Sequence, residues 1–206
     1  MATLSVGASL GRISTQYNRT ADDLIDVEVT LPVGNAVTGW TKTDANTASC
    51  TLAGGHGQSS GTYDVYWSTG RRYGLTGTFT SNTLDLDGGA GDDFPASATT
   101  GVIAVKQVVI NKEIDGDNCK VLGLMYRQSS TSSLGCRVTF YDALSAGGSA
   151  VGSGLDLDAN IPIITDIEGG DTNLFTGSVI RSLVASNGDS TTAATVVIQG
   201  VQDVTP

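Results

Sequence analysis

The stretch from Thr62 to Leu86 most restricts the folds open to this chain. In Thr62-Tyr63-Asp64-Val65-Tyr66-Trp67, the residues Tyr63, Val65 and Trp67 alternate with Asp64 and Tyr66, the period of a β-strand with one buried face. Tyr73, Leu75 and Phe79 carry the same period through a second run, and Leu84 and Leu86 through a short third. Glycine- and serine-bearing breaks at 68–70, 81–82 and 88–91 supply the turns. Aromatic residues make up only 6% of the chain, yet Tyr63, Tyr66, Trp67 and Tyr73 crowd into one segment. That concentration predicts a small β-meander with its own core.

The flanking sequence extends the same reading. Ile25, Val27, Val29 and Leu31 alternate with Asp26, Glu28 and Thr30 until Pro32 and Gly34, which predicts a strand with one wet face that stops there. Short strands are expected at 37–43, 47–52 and 101–105, so residues 36–105 read as a compact β-barrel-like module. Strand signals bracket it on both sides, as an insertion into a larger β-domain would require. That parent domain takes 21–35 plus 106–206, with strands expected at 105–114, 120–127, 136–141, 154–158, 161–167, 177–184 and 194–201. Asn187-Gly188 is the best single turn signal, since both residues tolerate positive φ. Apolar residues at helical spacing are not sustained anywhere. The expected class is therefore all-β: a β-sandwich or jelly-roll-like parent domain with an inserted small β-barrel-like module, preceded by an N-terminal arm at 1–20.

Composition narrows the function classes. Charged residues are 16% of the 206, against roughly 25% in ordinary soluble domains, while a hydrophobic share of 39% argues against disorder. The net charge of −10 and pI near 4.2 disfavour nucleic acid and anionic membranes as partners, since both call for basic patches. No apolar run approaches the roughly 18 residues of a membrane span. Met1 to Thr20 lacks a basic start followed by an apolar stretch and does not read as a signal peptide, so synthesis in a cytoplasm is expected. Cys50, Cys119 and Cys136 have no metal-type spacing; buried small apolar side chains are the first reading and a Cys119–Cys136 disulfide the second.

Residues with chemical potential are few. Asp85, Asp87, Asp92 and Asp93 surround Gly88-Gly89-Ala90-Gly91 and supply hard oxygens in one copy of a glycine-aspartate calcium pattern; calcium is the one cofactor suggested, against a plain hairpin loop. Ile114 to Asn118 resembles the opening of an EF-hand loop, but Tyr126 stands at its twelfth position, so a tight turn is the better reading. His56, the only histidine, sits among glycines as a turn residue would, and no Gly-x-Ser-x-Gly elbow exists. Carboxylate pairs for glycoside cleavage could draw on Glu28, Glu113 or Glu168, but in a chain with 21 acids such pairs carry little information. Tyr66, on the opposite parity from Tyr63 and Trp67, is the ring expected to face outward as a ligand-binding platform for sugars.

The segment Ala53-Gly54-Gly55-His56-Gly57, Asp64-Val65-Tyr66-Trp67, Arg72-Tyr73-Gly74-Leu75 and Leu86-Asp87-Gly88-Gly89-Ala90-Gly91-Asp92 resembles small β-modules in tailed-bacteriophage virion proteins. The likeness covers roughly 50–95, and Ser60-Gly61-Thr62 departs from it. The resemblance implies a non-enzymatic virion structural protein, capsid decoration (cement) or tail-tube, that self-assembles as a homo-oligomer and contacts other virion proteins. A receptor- or glycan-binding domain of a tail fibre is the alternative.

Overall fold

The computed structural model describes residues 24–111, 119–127, 129–130, 133–143, 146–147, 149–157 and 182–202. The all-β class holds: these residues form thirteen strands in a closed barrel and two open sheets, all ladders antiparallel. The expected arm at 1–20, the strand at 161–167, the Ile114–Asn118 loop and Glu113 and Glu168 lie outside the described residues.

The barrel takes β2 (Asn35–Lys42), β3 (Thr47–Leu52), β4 (Gly61–Trp67), β5 (Gly70–Thr80), β6 (Thr83–Gly91) and β7 (Ile103–Lys106), in the order β2-β3-β6-β5-β4-β7. Alternation decides what fills it. Ala48, Cys50 and Leu52 of β3 and Leu84 and Leu86 of β6 point inward, beside Tyr63, Val65, Trp67 and Leu75. The intervening Thr51, Asp85 and Asp87 are exposed. The ladder closes where Asn35 and Ala36 of β2 pair with Ala104 and Ile103 of β7, so the chain enters and leaves the barrel at adjacent points. Here β6 runs on to Gly91, where the sequence suggested a break at 88–91, because β5 stays paired with it as far as Arg72↔Gly91.

The remaining strands form the two open sheets. One is three-stranded, β1-β13-β9, from β1 (Leu24–Leu31), β13 (Ala194–Gln202) and β9 (Cys119–Arg127). The other is four-stranded, β11-β10-β12-β8, from β8 (Val108–Asn111), β10 (Cys136–Tyr141), β11 (Ala150–Leu157) and β12 (Ser182–Asn187). Of the strand expected at 177–184, only 182–184 is described, as the start of β12. Pro32 ends β1 as expected. Gly34 N then donates to Asp189 O (2.7 Å), and Asn187 Nδ2 donates to Pro32 O and Thr192 O, tying the barrel's entry to the β12–β13 turn.

Two details depart from simple alternation. In β4 every residue from Tyr63 to Trp67 is buried, on both faces, because the four-stranded sheet covers the outside of the barrel there. In β5 the register slips between Tyr63↔Leu75 and Val65↔Arg72. Gly74, at φ +67°, takes up the extra residue in a region costly to any side chain. The bulge reverses the faces: Leu75 points into the barrel, whereas Tyr73 points out and packs with Tyr66, Ile103 and Val105. The expected single period through Tyr73, Leu75 and Phe79 is therefore broken.

Candidate functional site

Most of the polar chemistry gathers where the outside of β4 and β5 meets the four-stranded sheet. Asp64 projects from β4 between Tyr63 and Val65 and is 1% exposed. Its Oδ1 accepts hydrogen bonds from Gly74 N and Gln107 Nε2, both 2.8 Å, and its Oδ2 accepts the Ser186 hydroxyl from β12. The Tyr66 hydroxyl lies 2.6 Å from Ser186 Oγ and completes a chain running Tyr66 to Ser186 to Asp64. Burial holds the Asp64 carboxyl above its ordinary range, against the pull of Ser186, Gly74, Gln107 and the Arg137 charge. Burial also pushes the Tyr66 hydroxyl well up, with Asp64 adding to it. Asp64 thus meets the N–H that the β5 bulge frees and joins barrel to sheet in one contact set.

Beside this network, the Tyr73 hydroxyl donates to Asp156 Oδ1 on β11, Arg137 Nη1 reaches the same oxygen at 3.1 Å, and Arg71 Nη1 lies 3.9 Å from it. The Arg137 guanidinium stacks over the Tyr73 ring at 4.1 Å. Burial, then the bond to Asp156, raises the Tyr73 pKa.

The glycine-rich segment is organised by a cation already in the chain. Arg72 is 5% exposed; its Nε donates to Gly88 O (2.8 Å), Nη1 to Asp92 O (2.9 Å), and Nη2 to Asn46 Oδ1 (2.7 Å) and Gly89 O (3.3 Å). The guanidinium also lies over the Phe94 ring at 5.2 Å. Backbone oxygens of the kind a calcium loop uses as ligands are here turned onto Arg72. Of the four suggested calcium ligands, Asp85 and Asp87 are exposed on the outer face of β6. Asp92 Oδ2 accepts Arg71 N at 3.0 Å, and Asp93 is exposed. Among the described residues no three His, Cys, Asp or Glu side chains gather as metal ligands would.

The suggested platform residue is corrected by its burial: Tyr66 is 0% exposed, with its hydroxyl engaged by Ser186, so its ring offers no face to a sugar. The opposite-parity argument fails because both faces of β4 are covered. His56 does sit in a turn, its Nδ1 accepting Gln58 N and its ring stacked on Phe79. Cys50 and Cys136 are free and buried, so the disulfide reading for Cys136 does not hold. Burial drives the Cys50 thiol up to about 12, with Asp85 contributing. Glu28 is exposed on β1.

Sequence reasoning missed Asp64, Ser186, Gln107, Arg137 and Asp156. One signal was present: Asp64 is the lone charge in Tyr63-Asp64-Val65-Tyr66-Trp67, on the same parity as Tyr66, and a charge beside a ring there calls for a polar partner from another element.

No family model, no curated protein and no solved structure matches this chain.

Proposed function

We propose that this chain is a non-enzymatic structural subunit of a tailed-bacteriophage particle, made in the host cytoplasm and assembled with copies of itself and with other virion proteins. Capsid decoration or cementing is the favoured placement, with tail-tube building the second. The observation that carries the reading is the open edge of each sheet. Among the described residues β1, β9, β8 and β11 each have a strand partner on one side alone. An unpaired row of N–H and C=O groups is a template for pairing with another chain, and symmetric assembly is the ordinary way to satisfy it. The buried titratable groups of the barrel and the seam support the non-enzymatic part. Asp64, Arg72, Tyr66 and Tyr73 are each spent on holding one element against another. The acidic net charge leaves nucleic acid the least suitable partner.

The test is the mass and symmetry of the purified full-length chain, by light scattering and electron microscopy. A ring, trimer or filament is expected, and deleting residues 2–18, the proposed inter-subunit arm, should abolish it while the remaining chain keeps its β circular-dichroism signature. A dilute, stable monomer that turns over a substrate would overturn the proposal.

A further inference from the structure

At one end of the seam the barrel and the sheet leave a cleft of about 490 Å³. Both parts of the fold build it. The barrel contributes the Trp67–Arg71 turn between β4 and β5 together with Asp92, and the segment before β10 contributes Ser133 and Leu134. Its size lies within the roughly 300–1,000 Å³ of small-molecule sites, which favour junctions between folding units.

The lining specifies the chemistry. Arg71 supplies a cation and Asp92 an anion, so the fixed charges cancel. A carboxylate or phosphate drawn to Arg71 would meet Asp92, and an amine drawn to Asp92 would meet Arg71. Both groups are held in place. Asp92 Oδ2 accepts Arg71 N at 3.0 Å, Asp92 N donates to Arg71 O at 3.0 Å, and Arg71 Nη1 leans on Asp156 from the other side. Such anchoring lowers the ordering cost of binding. Ser68 and Thr69 add exposed hydroxyls that donate and accept, while the half-buried Leu134, packed from behind by Tyr66 and Tyr73, is the main apolar residue of the lining beside the buried Trp67. A ligand matching this set carries many hydroxyls, no net charge and one C–H face.

We propose that the cleft binds a neutral saccharide of one or two rings. Arg71 donates to ring hydroxyls, Asp92 accepts from them, and the C–H face lies against Leu134. This site replaces Tyr66 as the place where a sugar could bind, and it does not depend on self-assembly.

Saturation-transfer NMR on the full-length chain tests it, since the method tolerates large assemblies. The probes are glucose, galactose, N-acetylglucosamine, lactose and sucrose, with acetate and phosphate as charged competitors. Transfer to at least one neutral sugar is expected, lost in Thr69→Phe, which fills the cleft from an exposed turn, and weakened about tenfold or more in Asp92→Ala. Melting temperature reports folding in each variant; should Asp92→Ala fail to fold, Thr69→Phe decides. Silence from all five sugars at about 10 mM, transfer unchanged in folded Thr69→Phe, or displacement of the sugar by acetate or phosphate would each overturn the proposal.

Discussion

Asp64 and Ser186, 122 positions apart in sequence, share a buried hydrogen bond that joins barrel strand β4 to strand β12 of the four-stranded sheet. The hydroxyl is both donor to Asp64 and partner of Tyr66, so removing it leaves Asp64 Oδ2 without that donor and the Tyr66 hydroxyl with only its 3.3 Å contact to Ser186 O. Ser186→Ala is therefore expected to cost about 1–3 kcal/mol in urea unfolding. Tyr66→Phe, which leaves Asp64 with all its donors, should cost less. Equal losses would show that the Tyr66 hydroxyl, rather than the Asp64 contact, dominates the junction.

The same carboxyl gives a signed pH dependence. Its folded pKa is raised by burial, so as pH climbs above the ordinary 3.8 the unfolded chain releases the proton first. Stability from this group is present below that value and is lost as pH rises through the folded value. Asp189 acts oppositely. Burial raises its pKa, but hydrogen bonds from Ser130, Thr191 and Thr192 outweigh that and lower it, so its contribution is lost as pH falls. Asp64→Asn should flatten the decline of the urea midpoint from mild acid to neutral pH. Parallel midpoint–pH curves for wild type and variant would contradict the assignment.

Arg72 should behave as the internal cation of the glycine-rich segment. A lysine ammonium cannot span Gly88 O, Gly89 O, Asp92 O and Asn46 Oδ1 together, so Arg72→Lys is expected to lose about 2 kcal/mol or more in thermal denaturation. Millimolar calcium should not restore it. A calcium-dependent rise in the melting temperature of either protein would return Asp85, Asp87, Asp92 and Asp93 to consideration as ligands.

Two glycines should fail for different reasons. Gly74 has open space around a built Cβ but sits at φ +67°, so Gly74→Ala should cost about 1–2 kcal/mol and Gly74→Asn less, because Asn tolerates that region. Gly188 has no positive φ. A Cβ there would lie 2.9 Å from Gly135 O and 2.9 Å from the Tyr66 ring, so Gly188→Ala should cost about 1–3 kcal/mol and Gly188→Asn no less. Thermal melts of the four variants check this, and rescue of position 188 by Asn would contradict the steric account.

Local pattern determined a good deal by itself. The alternation of Ala48, Cys50 and Leu52, of Tyr63, Val65 and Trp67, and of Leu84 and Leu86 is a one-dimensional signal of an inward face, and the strands appear where it runs. Strand ends such as Pro32 were legible too, since a missing N–H acts where it stands. What covers the other face of a strand is not written in its own period. Tyr66 read as an outward ring, with Asp64 on the same face, until β12, more than a hundred residues later, came to lie over both. Gly188 likewise looked like a turn residue chosen for its backbone freedom, and only packing against Tyr66 shows that it is chosen for size. The register slip at Gly74 inverts every side chain beyond it, a consequence of pairing rather than of composition. Period is a property of neighbours along the chain, whereas burial of the second face and charge balance in a cleft belong to residues that meet only when distant strands pack.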